Sequence, residues 1–259
     1  MDCSRLLYVG FSSMHKFFVD KKNISDNIAL ITGGDVKHIY KVLRLKPGDN
    51  IIINDLNGEE YLGEISEIIK ECVKVVIREK LDVNNEPSVK IHLFQGVPKS
   101  SKMDFIIQKC CEVGVNEFTP IQTKRTELDL KDIKKIDRWQ RIALESSKQS
   151  KRSLIPKVNE AISFSIFLKQ LANFSMIIVP YEEENSFGIK ELLRGSYHAS
   201  IALVIGPEGG FESEEIESLR EIGANIVTLG KRILRTETAG MIASAFILYE
   251  LSDMGGVYE

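Results

Sequence analysis

The sequence predicts an α/β protein in which a small β-barrel precedes a larger domain with a mostly parallel sheet. Three observations predict this fold class. Short β-rich segments separated by turn signals fill the chain before residue 80, and strand patterns alternate with helical patterns after residue 89. Near the C-terminus, two apolar runs end in glycine-bearing turns, as strands do where a parallel sheet binds a ligand. Alternating strands and helices are typical of βα units.

The first region predicts a barrel over residues 14–81. Turn signals such as Lys46-Pro47-Gly48-Asp49 separate its short strand patterns. One helix is predicted over residues 35–45, with Asp35 as its N-cap. Its apolar positions recur at helical spacing and comprise Val36, Ile39, Tyr40 and Leu43. The predicted strands are residues 17–19, 28–32, 50–54, 61–65 and 73–78.

The second region begins after a polar segment, residues 82–88, that contains a proline and predicts a linker. Residues 89–259 then predict the larger domain. Its strand patterns are residues 90–95, 117–122, 176–180, 201–205 and 225–229, and its helical patterns are residues 102–113, 132–147, 213–222 and 238–251. Ser213 is the expected N-cap of the third helix. Residues 1–13 fit neither domain, and we expect either that Met14 is the natural start or that residues 1–13 are a disordered extension.

Composition narrows the function classes. The 259 residues are 43% hydrophobic and 27% charged, as in soluble globular proteins, and no apolar run approaches the roughly 20 residues that span a bilayer. The cysteines show no metal-ligand spacing, so we expect no metal site. They also show no disulfide pattern, which favours the cytoplasm.

Charge is unevenly distributed along the chain. The net charge is −3, but residues 99–157 contain 14 Lys and Arg against 8 Asp and Glu, a local charge of +6. A basic middle on an acidic body is compatible with RNA binding on one face and also with an ordinary solvated helix. Charge alone leaves both interpretations open.

Residues 206–210, Gly-Pro-Glu-Gly-Gly, follow the apolar run 201–205. Proline restricts the backbone, while the glycines permit close approach of main-chain groups to a small ligand. A phosphate-binding P-loop is excluded because the Lys-Ser/Thr pair after the glycines is missing.

Residues 229–240 follow the next apolar run and combine cations with hydroxyl and small residues. Arg235 and Glu237 are spaced for a salt bridge or for an arginine held beside a ligand, and spacing does not choose between these. Small residues such as Ala239 and Gly240 at the start of the last helix let another backbone pass nearby.

Both segments resemble the signature loops of SPOUT-class RNA methyltransferases, specifically the RsmE family, which methylates N3 of a uridine in small-subunit (16S) ribosomal RNA. Further similarity lies at His38, Val42-Leu43-Arg44, Gly48-Asp49, Lys102-Met103-Asp104, Gln108-Lys109, Glu112-Val113-Gly114-Val115, Pro120, Lys124-Arg125, Arg138-Trp139, Gln149-Ser150-Lys151-Arg152 and Pro156. Asp104, Val113 and Lys148 depart mildly from the family pattern.

The resemblance implies a PUA-like barrel followed by an α/β domain with a C-terminal trefoil knot. It also implies a homodimer and a knot-bound S-adenosylmethionine. The residues implied for this methyl donor are Val179, Pro180, Tyr181, Ile205, Gly206, Pro207, Glu208, Gly209, Gly210, Leu229, Gly230, Ile233, Leu234, Arg235, Thr238 and Ala239. Main-chain groups of the last loop would meet the adenine.

We expect methyl transfer in which Arg235 stabilises negative charge on the uracil, and Glu237 orients Arg235 or accepts the N3 proton. Thr236 completes the expected catalytic group. The expected RNA contacts are Arg44, Lys99, Lys102, Arg125 and Arg152. Three alternatives stay open: another RNA target, such as a ribose 2′-hydroxyl, a catalytically silent RNA-binding assembly factor, or, least favoured, a nucleotide-phosphate enzyme that binds an anion in the glycine loop.

Overall fold

The computed structural model describes residues 14–82, 85–99, 101–127, 129–130, 133 and 135–256. The chain forms two compact units: one runs to Glu86 and includes Lys148–Ile155, and the other comprises Pro87–Ser147 and the chain from Pro156 onward. The prediction for residues 1–13 lies outside the described residues. Within these residues, no helix has the length and apolar character needed to cross a membrane.

The first unit contains a mixed sheet where the sequence predicts a barrel. Its strands are β1 Lys16–Phe18, β2 Ile24–Ser25, β3 Ile28–Thr32, β4 Asn50–Asn54, β5 Glu60–Ile68 and β6 Cys72–Leu81. The order is β1-β4-β5-β6-β3-β2, with β1 and β4 parallel and the other pairs antiparallel. The strands bury alternate residues: Ala29 and Ile31 are buried, while Leu30 between them is 38% exposed.

The predicted helix of the first unit is shorter and less regular than expected. It consists of α1, Gly34–Lys37, followed by a π-helical turn over His38–Leu43. Asp35 is wrong as the N-cap, because Gly33 takes that position with a positive φ of 73° and lies one residue before the first helical residue. Asp35 instead lies in the first turn, where the helix dipole favours a carboxylate.

The segment Lys148–Ile155 belongs to the first unit through buried polar contacts, which the sequence prediction did not anticipate. The carboxylate of Glu86 binds the guanidinium of Arg152 and accepts from the backbone N–H of Ser153 at 2.9 Å. The Ser153 hydroxyl donates to Glu60 at 2.7 Å. These paired charges hold the segment in place.

The second unit contains a parallel sheet. Its strands are β7 Lys90–Gly96, β8 Glu117–Gln122, β9 Lys157–Val158, β10 Ile162–Ser163, β11 Met176–Pro180, β12 Ser200–Ile205 and β13 Asn225–Val227. The order is β10-β8-β7-β12-β11-β13, with β9 beside β8, and every pair is parallel. The carboxyl ends of the strands therefore meet at one edge, as the alternating pattern predicts.

The helices of the second unit are α2 Lys102–Val113, α3 Ile136–Gln149, α4 Phe164–Leu171, α5 Ile189–Leu193, α6 Ser213–Glu221 and α7 Thr236–Leu251. Helix α6 differs from its prediction at the N-cap. Glu212, not Ser213, caps it, and Glu212 and Glu215 form a reciprocal capping box. A carboxylate one residue earlier performs the expected role.

Candidate functional site

A cavity of about 570 Å³ lies at the carboxyl ends of β11, β12 and β13. Three loops form it, beginning at Pro180, Ile205 and Thr228, where these neighbouring strands end. Thirteen of the predicted donor-binding residues line it: Pro180, Tyr181, Ile205, Gly206, Pro207, Glu208, Gly210, Leu229, Gly230, Ile233, Leu234, Arg235 and Ala239. The two glycine-bearing loops predicted from the sequence thus lie together at one concave site.

Three residues predicted for the donor do not line this cavity. Val179 is fully buried among core side chains. Gly209 lies against Arg125, whose guanidinium donates to the Gly209 carbonyl at 2.6 Å. Thr238 is half-buried in the first turn of α7. Gly209 and Arg125 therefore fix the outer side of the glycine-rich loop.

The glycine-rich loop packs directly on the end of β7. A Cβ built on Gly96 would lie 2.5 Å from the backbone nitrogen of Pro207 and 2.8 Å from the carbonyl carbon of Gly206. No side chain fits there, so the contact requires glycine. Close packing of backbone on backbone sets the position of this cavity wall.

Buried hydrogen bonds join this loop to α7. The Thr236 hydroxyl donates to the Gly206 carbonyl at 2.6 Å, and the Gln95 side-chain amide donates to the Thr236 hydroxyl oxygen at 2.9 Å. Thr236 is buried and Gln95 is fully buried. The Thr236 hydroxyl therefore holds two parts of the cavity wall together, and the catalytic role expected for Thr236 stays a prediction.

A charged cluster lies beside the cavity. The ammonium of Lys102, at the start of α2, lies 3.0 Å from Glu208 and 3.5 Å from Glu237. Glu208 also accepts from the backbone N–H of Lys99 at 3.0 Å. Burial raises the pKa of Glu208, but hydrogen bonds from Lys102 and from backbone groups outweigh it, and the pKa is lowered overall. The same hydrogen bond to Glu208 raises the pKa of Lys102, so both members of this ion pair favour their charged forms.

Glu237 and Arg235 do not form the salt bridge that their spacing allows. Within the described residues, the Glu237 oxygen Oε2 is buried, has no hydrogen-bond partner and faces Lys102 at 3.5 Å. Arg235 lines the cavity with an exposed side chain. The geometry leaves the Arg235 guanidinium available to a ligand.

The cavity mouth is basic and carries an exposed apolar side chain. Lys231 and Arg232 line it and are exposed. Ile233 also lines the cavity and is 83% exposed. Leu229 and Leu234 are half-buried and give the cavity apolar walls.

The five predicted RNA contacts differ in accessibility. Arg44 is exposed at the end of the π-helical turn. Lys99 pairs with Glu127 at 2.5 Å, and Arg125 pairs with Glu212 at 2.8 Å. The side chain of Arg152 is 5% exposed and bound to Glu86, and its RNA contact stays a prediction. A buried, paired guanidinium stabilises its own segment.

Sequence reasoning missed Gln95 and Gly96 and assigned Lys102 to RNA alone. Gln95 and Gly96 stand at the end of a predicted strand. An amide and a glycine directly after an apolar run are the sequence pattern that could have identified them. Within the described residues, no group of three His, Cys, Asp or Glu side chains could hold a metal ion.

The chain matches known families over most of its length. A family model described as RNA methyltransferase domain matches residues 84–248, and one described as RNA methyltransferase PUA domain matches residues 31–78. The chain is 35% identical over 257 residues to ribosomal RNA small subunit methyltransferase E of Bacillus subtilis, covering 94% of this chain and 99% of that protein. It is 36% identical to the same-named protein of Mesomycoplasma hyopneumoniae, covering 88% of this chain and 96% of the relative.

A solved structure agrees with these matches. The ribosomal RNA small subunit methyltransferase E from Neisseria gonorrhoeae, bound to S-adenosyl methionine, superposes with a TM-score of 0.80 at 29% identity. The match covers 92% of this chain and 98% of that one. The resemblance found in the two C-terminal loops is therefore confirmed, and the chain belongs to the ribosomal RNA small subunit methyltransferase E family of RNA methyltransferases.

Proposed function

We propose that this chain transfers the methyl group of S-adenosylmethionine to N3 of a uridine in small-subunit (16S) ribosomal RNA. One observation carries the proposal: a cavity at the carboxyl ends of three parallel strands, in a chain of this family, is walled by the two signature loops. Its volume of about 570 Å³ suits a ligand of nucleoside size.

The chemistry of the walls fits this donor. Leu229, Leu234 and Ile205 provide apolar surface for an adenine ring, and the loop backbone provides hydrogen-bonding groups. Glu182 and Glu208 place carboxylates on the lining, where the cationic ammonium and sulfonium groups of the donor would be favoured. The donor supplies an electrophilic methyl group on sulfur.

The remaining chemistry belongs to the uracil and to this chain. A bond forms between N3 and the methyl carbon, the carbon–sulfur bond breaks, and the N3 proton must leave. The exposed Arg235 guanidinium stabilises the negative charge on the base. Glu237, whose buried Oε2 accepts no hydrogen bond from the described residues and faces Lys102 at 3.5 Å, is the candidate proton acceptor.

RNA binding in this proposal uses exposed basic residues of each unit. Arg44 serves in the first unit, and Lys99 and Arg125 in the second, where phosphates would compete with Glu127 and Glu212. Such contacts weaken as salt concentration rises. An enzyme that acts on ribosomal RNA would work in the cytoplasm.

A homodimer is supported by an apolar face on α7. Phe246 is 42% exposed and Tyr249 is 67% exposed, and both follow Ile242 at helical spacing. Phe105 on α2 is 43% exposed. A second copy would cover these rings. Light scattering should give a dimer for the natural chain and a monomer for Phe246→Glu.

The trefoil knot that the resemblance implies also belongs to this proposal. The strand order supports it, because β11 lies between β12 and β13 rather than beside its predecessor in the chain. The Thr236–Gly206 hydrogen bond fixes the last helix against an earlier loop. Tracing residues 200–251 in a crystal structure tests whether the chain threads a loop.

The deciding experiment uses S-adenosylmethionine labelled in the methyl group, small-subunit RNA and assembled small subunits. After digestion to nucleosides, mass spectrometry should find the label in N3-methyluridine. Label in a 2′-O-methyl nucleoside would support the alternative RNA target. Binding of RNA without incorporation would support the assembly factor.

A further inference from the structure

We infer that Gln95 is a positioning residue of the donor site, fixing the Gly206 carbonyl and the start of α7 so that the cavity is formed before ligand arrives. This inference rests on the proposed function. It concerns a residue that touches neither the cavity nor the reacting atoms.

The Gln95 amide meets three elements of the cavity wall. Its nitrogen Nε2 lies 3.0 Å from the Gly96 carbonyl oxygen, 3.4 Å from that of Gly206, and 2.9 Å from the Thr236 hydroxyl oxygen. Its two N–H groups are thus shared among three acceptors. These acceptors belong to the end of β7, to the glycine-rich loop and to the first turn of α7.

The Gly206 carbonyl receives two donors, the Gln95 amide and, at 2.6 Å, the Thr236 hydroxyl. The peptide that follows this carbonyl has no N–H, because the next residue is Pro207. The orientation of this peptide therefore depends on what its oxygen accepts. Gly206 and Pro207 both line the cavity, so the Gln95 contact sets part of its shape.

The other end of the Gln95 amide is poorly satisfied. Within the described residues, its oxygen Oε1 is buried and has no hydrogen-bond partner. It faces α7 at Gly240, where a built Cβ would lie 3.7 Å away. A buried unpaired acceptor lowers stability, and an apolar side chain would avoid the loss. Such groups persist where a local constraint serves function, which favours a role for the Nε2 contacts in the site.

The test compares Gln95→Leu with the natural protein. Calorimetry measures the Kd of S-adenosylhomocysteine, steady-state assays measure kcat and KM for the donor, and circular dichroism checks folding. We expect Gln95→Leu to weaken S-adenosylhomocysteine binding at least tenfold, because an unfixed loop must be ordered when the ligand binds. The KM for the donor should rise more than kcat falls.

Thr119→Val is the matched control. Thr119 is also buried and hydrogen-bonded on the neighbouring strand β8, but it lies outside the cavity. We expect this variant to lower the melting temperature and leave the Kd unchanged. Thr236→Val removes a hydrogen-bond partner of Gln95. The double variant, Gln95→Leu with Thr236→Val, should bind S-adenosylhomocysteine no more weakly than whichever single variant binds it less tightly. Thr236→Ser should restore binding.

If Gln95→Leu does not fold, Thr236→Val and Thr236→Ser decide the question alone. A folded Gln95→Leu, or Thr236→Val, with the natural Kd would overturn the inference. Equal weakening by Thr119→Val would also overturn it, since the effect would then be general destabilisation. Failure of the natural protein to bind S-adenosylhomocysteine would instead refute the proposed donor site.

Discussion

The two ends of the parallel sheet hold polar groups in different ways. At the carboxyl ends, Gln95 and Thr236 bind backbone carbonyls, and the cavity is walled by loop backbone. Near the amino ends of β7 and β8, a histidine cluster, comprising His92, Glu117, Thr119 and Asn159, is bonded side chain to side chain. Among the described residues, the first arrangement leaves one side-chain oxygen each of Gln95 and Glu237 without a hydrogen-bond partner, whereas side chains of the second hydrogen-bond to one another.

The histidine cluster lines a second cavity of about 510 Å³ and is held by hydrogen bonds and ring stacking. A ring nitrogen of His92 lies 2.7 Å from the Thr119 hydroxyl oxygen, and its ring stacks on Phe94 with centroids 4.1 Å apart. Burial lowers the pKa of His92 to about 4, although the Glu117 carboxylate opposes this shift. His92 is therefore neutral at neutral pH. The two ends therefore differ in the partners of their polar side chains: loop backbone for Gln95 and Thr236, and neighbouring side chains for His92 and Asn159.

Arg235→Ala breaks the carboxyl-end site chemically and should have the largest effect. We expect kcat to fall by about 10²–10³-fold, because one preorganised group that stabilises developing charge is lost. The Kd of S-adenosylhomocysteine should change little. Single-turnover assays with labelled donor measure the chemical step.

Arg232→Ala is the matched control for Arg235, since both side chains are exposed cations that line the cavity. We expect its kcat to stay close to that of the natural protein. Near-normal turnover in Arg235→Ala together with no turnover in Glu237→Gln would reverse the proposed roles.

Gly96→Ala tests whether the carboxyl-end site is built on backbone packing. Its new Cβ would lie 2.5 Å from the Pro207 nitrogen, so the glycine-rich loop must move. We expect unfolding free energy to fall by about 1–3 kcal/mol, as overpacking does, and donor affinity to fall with it. Urea denaturation and calorimetry measure the two effects.

Gly240→Ala is the comparison variant for Gly96→Ala, because Gly240 lies on α7 next to β7, the strand that ends at Gly96. The nearest atom to its built Cβ is 3.5 Å away, an ordinary contact. Alanine is favoured over glycine inside a helix by roughly 0.5–1 kcal/mol, so stability should hold or rise. Equal losses in the two variants would contradict the packing explanation.

Lys102→Gln separates a role in the site from a role in RNA binding. Its ammonium lies between Glu208 and Glu237, and without it both carboxylates lose their cation. We expect kcat to fall about tenfold, equivalent to one charged hydrogen bond of about 1.5 kcal/mol. The salt dependence of RNA affinity should stay unchanged. A shallower salt dependence of RNA affinity, together with a normal kcat, would instead show that Lys102 contacts an RNA phosphate.

The sequence predicts the strands and the site loops of the second unit better than its short helices. Strands such as Glu117–Gln122 and Met176–Pro180 match their predicted bounds, because apolar runs between turn signals define them. The two C-terminal loops were found through their glycines. The short helix Ile189–Leu193 was missed because five residues carry too little periodicity.

Contacts between distant residues escaped prediction for a different reason. Gln95 bonds to Thr236, 141 positions later, and Arg152 binds Glu86, 66 positions earlier. Charge alone cannot tell a buried, paired arginine such as Arg152 from an exposed one such as Arg44, since partners depend on the folded chain. Sequence therefore located the loops of the site but not the side chains that hold them.

His92→Gln should have the smallest effect at neutral pH and sharpens the structural interpretation of the amino-end cluster. The pKa of His92 lies near 4 in the folded chain against 6.5 for the free side chain, so the unfolded state binds more protons between these values. The unfolding free energy of the natural protein should therefore fall as pH drops below 6.5 and level off below about 4. Between these values His92 contributes a decrease of at most about 1.4 kcal/mol per pH unit. Denaturant unfolding between pH 4 and 8 should show a smaller decline for His92→Gln. Parallel stability curves for the two proteins would mean that His92 accepts a proton in the folded chain. The cluster would then contain a titrating group rather than a fixed neutral one, and the contrast between the two ends of the sheet would lose its basis.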